Sequence, residues 1–151
     1  MSPPLEREAI FPRLDGIKKN LKKLGELAAL SPEGFRAEDP YALAQHHLRL
    51  ALEGIFHIGS HILSRLPGGR AVEYKEIARK LGDLGVVPHD FAERALVPMA
   101  GLRNILVHQY SDLDAARLHT IIRQHRGDID TFLRHIKTLL QHPDRLGLRV
   151  E

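Results

Sequence analysis

Apolar residues recur three and four positions apart through most of the chain, which is the spacing of helices that each bury one face. The first two such segments cover about 12–30 and 40–66. Their apolar positions are Leu14, Ile17, Leu21, Leu24 and Ala28 in the first, and Leu48, Leu52, Ile55, Gly59, Ile62 and Leu66 in the second. Pro12 fits either the first turn of the first helix or a kink in a longer helix that starts near Leu5.

The second half of the chain continues this pattern. It predicts a short helix over about 73–81, a helix from Pro88 to about 106, and a last helix over about 114–141. Pro98 should kink the middle one. The last helix carries a seam spaced alternately by four and three, at Leu118, Ile122, His125, Ile129, Phe132, Ile136 and Leu139. His125 is therefore expected in the core or at an interface, and Gly127 is expected to allow close packing.

Turn signals separate these segments, and no alternating strand pattern competes with them. Ser31-Pro32-Glu33-Gly34 and Pro67-Gly68-Gly69 each end a helix, and Asp114 is a candidate N-cap for the last one. The prediction is an all-α, up-down antiparallel bundle of four long helices plus one short helix. A single domain fills residues 1–151, and residues 142–151 form a short flexible tail.

Composition narrows the class of protein. The 151 residues include no Cys, so neither disulfides nor Cys-based metal sites are expected. No apolar run is long enough to cross a membrane, and the N-terminus lacks the apolar core of a secretory signal. We therefore expect a cytoplasmic protein. A net charge of +3 permits a nucleic-acid partner, and Lys18, Lys19, Lys22 and Lys23 form either a solvated helix face or a strip that contacts an RNA backbone.

The residues best suited to chemistry lie in one short segment, Arg103-Asn104-Ile105-Leu106-Val107-His108-Gln109-Tyr110. Asn104 and His108 share a helix face, while Arg103 and His108 are about 140° apart around the helix. Arginine offers a permanently charged fork for a phosphate, and histidine moves protons near neutral pH. Together they suit a phosphodiester substrate. Pairing of Arg103 with an acid on a neighbouring helix would be a purely structural alternative.

A second polar set lies on the helix over 40–66. Glu53, His57 and His61 follow one another at four-residue intervals and form a ladder. Two imidazoles and a carboxylate suit a divalent metal ion, but a plain polar helix face fits the same spacing, and so does a role in lining a site or facing a second subunit. We assign no metal and no cofactor, and we keep the ladder as a candidate site-lining set.

The string Arg103-Asn104-x-x-x-His108-x-Tyr110 resembles the Arg-x4-His motif of HEPN domains, in the form with a following Tyr that is found in HepT-type toxins. The stretch from Leu50 to His61 also resembles the second helix of these proteins, although many of them carry an acid where this chain has His57. The resemblance implies metal-independent RNA cleavage, in which a 2′-hydroxyl attacks the adjacent phosphate in a cleft between two subunits.

The resemblance also implies roles for individual residues. His108 would act as general base or acid, Arg103 would clamp the phosphate, and Asn104 would orient His108 or bind the phosphate. HepT-type toxins belong to type VII-like toxin–antitoxin pairs, in which a minimal nucleotidyltransferase antitoxin attaches AMP to the Tyr. The expected partners are thus RNA, a second copy of the chain in a homodimer or higher even oligomer, and such an antitoxin acting on Tyr110. The alternative is a non-catalytic helical module that binds a nucleotide or scaffolds a nucleotidyltransferase complex.

Overall fold

A computed structural model describes residues 3–108 and 113–151, and it has the expected all-α architecture. The long helices are α1 (Arg7–Ala28), α3 (Glu38–Leu63), a composite helix over 89–108, and α7 (Ala115–Gln141). The shorter ones are α2 (Pro32–Phe35), α4 (Tyr74–Asp83) and a 3-10 turn (Pro143–Leu146). The prediction of four long helices plus one short helix is confirmed, with the one-turn α2 added between α1 and α3.

The composite helix is built from three parts: α5 (His89–Phe91), a π-helical segment (Ala92–Leu96) and α6 (Val97–His108). The amide N–H of Val97 donates to the carbonyl of Ala92, five residues earlier. This wider turn lies directly before Pro98, whose ring would otherwise clash with a carbonyl of the preceding turn. The irregularity expected at Pro98 is therefore a π turn, and it sets the direction in which α6 carries Arg103 and His108.

The start of α1 resolves the two alternatives for Pro12. The helix begins at Arg7, so Pro12 lies inside it, in the second turn. The N-cap residue is Glu6, and its backbone N–H donates to Nε2 of His61 at 3.0 Å. The predicted N-cap of α7 is also confirmed, because the Asp114 carboxylate accepts from the backbone N–H of Arg117 at 2.8 Å.

The predicted apolar faces form one core. Most of the seam of α7 is buried, as are the corresponding faces of α1 and α3. Gly59 lets α4 approach α3 closely, because a Cβ at this position would lie 2.8 Å from Cδ1 of Leu81. Among the described residues, no helix is both long and apolar enough to cross a bilayer.

Two expectations for α7 need correction. The core placement of His125 is wrong, because its side chain is 62% exposed and contacts Asp128. Its alternative placement at an interface between subunits stays a prediction. The buried histidine is His119, which stacks on Phe35 and has Nε2 3.2 Å from the carbonyl oxygen of Ala28. Gly127 does not serve close packing, since a Cβ there would meet nothing within 4 Å. Its cost in helix propensity, about 1 kcal/mol, is not offset by a contact.

The last residues, 142–151, for which a flexible tail is predicted, make specific contacts with the start of the chain and with the core. Leu5 and Val150 form an isolated parallel bridge. The N–H of Leu5 donates to the carbonyl of Arg149, and the N–H of Glu151 donates to the carbonyl of Leu5, at 2.8 and 2.9 Å. Leu148 is buried against the core. These contacts were not predictable from the tail alone, because their partners lie at the opposite end of the chain.

Candidate functional site

The side chain of Arg103 packs on a stack of two aromatic rings. Its guanidinium carbon lies 4.4 Å from the centroid of the Tyr74 ring, at the start of α4. The Tyr74 ring in turn stacks on Phe56 of α3, with centroids 4.9 Å apart and planes inclined by 24°. Phe56 is fully buried. A cation over an aromatic face is attracted by the negative ring face, so this stack of three side chains fixes where the charge of Arg103 lies.

Glu53 is the ionic partner of Arg103. Its Oε1 atom lies 3.8 Å from Nη2 of Arg103 and 3.1 Å from Nη1 of Arg49, and the Glu53 and Arg103 side chains are only 21% and 22% exposed. The structural pairing of Arg103 with an acid on a neighbouring helix therefore exists. However, two guanidinium groups share one carboxylate, so this cluster keeps one net positive charge. Because Arg49 is the closer partner, Arg103 remains the less neutralised of the two.

The hydrogen bonds of Arg103 are incomplete. Its Nη1 donates to Oδ1 of Asn104 at the long distance of 3.4 Å, and its Nε–H is buried with no acceptor among the residues described. A buried donor without a partner costs about 1–3 kcal/mol. Such a cost is unusual in a side chain with a purely structural role, and it marks Arg103 as a candidate functional group.

His108 lies one turn beyond Asn104, in the last turn of α6, and it is exposed. Within 3–108 and 113–151 it makes no hydrogen bond or ion pair. The structure therefore brings Arg103 and Asn104 into contact and places His108 beside them without a bond to either. Tyr110, the fourth residue of the motif, lies outside the described residues.

The ladder on α3 does not act as one group. Glu53 is joined to Arg103, His57 is exposed, and His61 caps the N-terminus of α1 through the Glu6 N–H. Burial lowers the pKa of His61 and the nearby Arg65 guanidinium lowers it further, against a smaller opposing effect of Glu6. No three His, Asp or Glu side chains in the described part of the chain are grouped to hold a metal ion.

Two cavities adjoin the motif. The Arg103 cavity, of about 530 Å³, is lined by Val72, Glu73, Tyr74, Lys75, Arg103 and Asn104. The α6–α7 groove, of about 640 Å³, runs between α6 and α7 and includes Leu102, Ile105, Ile121 and His125. Asn104 and Lys75 line both cavities. The sequence carried no signal that Tyr74 would contact Arg103 or that Lys75 would line the same cavity.

Comparison with known proteins identifies the family. Residues 17–136 match the family model described as ribonuclease HepT-like. The chain belongs to this HepT-like family. The resemblance seen at Arg103 to Tyr110 is thereby confirmed at the level of the family, over most of the chain. A curated relative, the tRNA nuclease HepT of Aphanizomenon flos-aquae (strain 2012/KM1/D3), is 26% identical over 137 residues, which are 90% of this chain and 92% of the relative.

Solved structures share the fold of this HepT-like chain. One is a toxin–antitoxin crystallised with AMP-PNP, with a TM-score of 0.76 and 19% identity over 87% of this chain and 99% of that one. Another is the tri-AMPylated HEPN toxin of Shewanella oneidensis in complex with MNT antitoxin, with a TM-score of 0.78 and 21% identity over 87% and 98%. YutE of Bacillus subtilis, a cytosolic protein of unknown function, has a TM-score of 0.66 and 23% identity over 84% and 90%.

Proposed function

We propose that this HepT-like protein is a ribonuclease toxin that cleaves tRNA. The observation that carries the proposal is the environment of Arg103, which holds an incompletely neutralised guanidinium on α6, five residues before the exposed imidazole of His108. A fixed cation beside an accessible proton carrier is the equipment that a phosphodiester reaction requires. The choice of tRNA rests on the relative that is a tRNA nuclease.

The proposed reaction uses groups of the RNA and of the protein. A ribose 2′-hydroxyl gives up its proton to a base and its oxygen attacks the adjacent phosphorus. The bond from phosphorus to the 5′-oxygen breaks, and that oxygen takes up a proton. The products end in a 2′,3′-cyclic phosphate and a 5′-hydroxyl. His108 serves as base or acid, Arg103 stabilises the charge on the phosphorane, and Asn104 helps to hold the phosphate.

A second copy of the chain supplies the missing proton carrier. One His cannot be base and acid in the same step, whereas a two-fold dimer brings two His108 and two Arg103 to one cleft. The α6–α7 groove supports this arrangement, because half-buried apolar residues such as Leu102, Ile105 and Ile121 lie there next to Asn104, and no described helix covers them. A homodimer is therefore part of the proposal.

Expression of the chain by itself tests the proposed function. We expect growth to slow, and we expect the purified protein to produce tRNA fragments that end in 2′,3′-cyclic phosphate. The His108→Ala variant should do neither. A non-catalytic helical scaffold would leave both growth and tRNA unchanged in the wild type as well, and that result would decide against the ribonuclease.

We further propose that a minimal nucleotidyltransferase antitoxin neutralises the protein by transferring AMP to Tyr110. The support is that structures of similar fold include an AMPylated HEPN toxin bound to MNT antitoxin. Tyr110 follows His108 by two positions in the sequence, so a bulky nucleotide with a negative phosphate would compete with RNA for the same cleft. In the transfer, the Tyr oxygen attacks the α-phosphorus of ATP and pyrophosphate leaves.

Intact mass measures this modification. Protein co-expressed with the nucleotidyltransferase should gain one or more AMP units and lose its ribonuclease activity. Tyr110→Phe should gain none and should stay toxic in the presence of the antitoxin. Tyr74→Phe provides the matched control, because it removes a different hydroxyl and leaves Tyr110 available. An AMP adduct on Tyr110→Phe would place the modification elsewhere.

A further inference from the structure

The Arg103 cavity extends beyond the groups that the proposed reaction uses. From Arg103 and Asn104 it continues to Lys75 and to the loop before α4, with a volume of about 530 Å³. Cavities of a few hundred Å³ are typical of small-ligand sites. The cleavage step described above needs Arg103 and His108, and it assigns no role to Val72, Glu73 and Lys75, which also line this cavity.

Lys75 is the second cation of the cavity. It is exposed, and it forms no ion pair with another residue in the part of the chain that the structure describes. Its stem crosses α6 at Gly101, where a Cβ would lie 3.7 Å from Cε of Lys75. Gly101, Asn104 and His108 follow at three and four positions and so share one face of α6. Lys75 therefore lies at one end of the helix face that carries the motif.

The other residues that line the cavity have a different chemistry. Val72 is 85% exposed, the highest value among the large apolar residues that are exposed in the described chain. Glu73, the next residue, also lines the cavity. The lining thus includes two cations, an exposed apolar side chain and a carboxylate that can accept hydrogen bonds. A nucleotide has the complementary polarity, with an anionic phosphate at one end and a flat base with N–H donors at the other.

We propose that the Arg103 cavity is a subsite for the nucleotide next to the scissile bond. Lys75 binds the phosphate adjacent to the one that Arg103 holds, and the base packs on Val72 with a donor edge toward Glu73. The subsite rests on the proposed ribonuclease function, since it assigns the neighbouring position of the same RNA. It adds a contact that sets affinity and register without taking part in proton transfer.

RNA binding by the His108→Ala protein, which holds the substrate without cutting it, tests the subsite. The probe is tRNA, and its affinity is measured by fluorescence anisotropy over a series of salt concentrations. Lys75→Gln should weaken binding about five- to tenfold and make the salt dependence shallower by about 0.7–1. Lys137→Gln is the matched control, because Lys137 is an exposed lysine of α7 that lines neither cavity, and it should leave both values unchanged.

A second variant tests the proposed contact between the base and Val72. Val72→Ser lies on an exposed loop, so it should not affect folding, and we expect it to weaken binding about threefold with no change in the salt dependence. In the active protein, Lys75→Gln should raise KM and leave kcat nearly unchanged.

The outcomes separate the subsite from the proposed function. If Lys75→Gln changes the affinity for tRNA no more than Lys137→Gln does, while the wild-type protein still binds and cleaves tRNA, the assignment of Lys75 is overturned and the ribonuclease function is not. Unchanged binding by Val72→Ser would overturn the placement of the base. A wild-type protein that neither cuts tRNA nor, as His108→Ala, binds it would overturn the subsite together with the function on which it rests.

Discussion

His108→Ala should lower the rate of tRNA cleavage by about a hundredfold to ten-thousandfold, the usual contribution of a positioned acid or base. The folded state should be unaffected, because the side chain is exposed and makes no hydrogen bond or ion pair with another described residue. Single-turnover rates with protein in excess give the chemical step, and thermal unfolding of the same samples checks the fold. His89→Ala is the control. It removes another exposed histidine, which contacts Asp83 and is not part of the motif, and it should keep the wild-type rate.

Arg103→Ala should reduce the cleavage rate by about a hundredfold to a thousandfold, as expected for loss of a group that stabilises developing charge. Arg103→Lys should recover little of it, because an ammonium cannot reproduce the flat guanidinium over the Tyr74 ring. Arg134→Ala, which breaks an exposed ion pair with Asp130 on α7, is the matched control and should cleave normally. If purified His108→Ala or Arg103→Ala retains full activity, the assignment of the catalytic pair is wrong.

Phe56→Ala should destabilise the protein by about 3–5 kcal/mol, because it empties a fully buried position in a close-packed core. At about 2–4 °C per kcal/mol for a chain of this size, the melting temperature should fall by a clearly measurable amount. Denaturant unfolding gives the free energy directly. Phe11→Ala is the control, since this Phe is 40% exposed on α1, and its loss should cost much less.

The same position also tests how Arg103 is held. Phe56→Leu keeps most of the apolar volume and should cost less than about 1.5 kcal/mol, but it removes the ring on which Tyr74 stacks. We expect this variant to fold and to cleave tRNA more slowly than wild type. A Phe56→Leu protein with wild-type cleavage would show that the ring stack contributes stability and does not position the guanidinium.

The helices were predictable because their buried faces repeat with the helical period. On α3, for example, Leu48, Leu52, Ile55 and Ile62 lie where a period of 3.6 residues places them, and all are buried. The position of Pro98 also predicted an irregularity. Its form as a π turn over Ala92–Leu96 did not follow from the sequence, because several backbone adjustments relieve the same clash.

The motif could be located from the sequence, but its surroundings could not. Spacing along α6 places Asn104 and His108 on one face. Tyr74 and Glu53 reach Arg103, and Lys75 lines the same cavity, only through the packing of three separate helices. Periodicity predicts which residues point inward, but it does not predict which residues of other helices they contact. The same limit explains His125, which continues the apolar seam of α7 at a level where an open groove adjoins it.

The bridge between Leu5 and Val150 has a practical consequence for handling the molecule. Because Glu6 is also bonded to His61, both ends of the described chain leave the bundle at the same corner. His61 lies eight residues beyond Glu53 on α3, which is about 12 Å along the helix axis from the carboxylate that faces Arg103. An affinity tag on either end is therefore attached on the side of His61, at a distance from the side chains that surround Arg103.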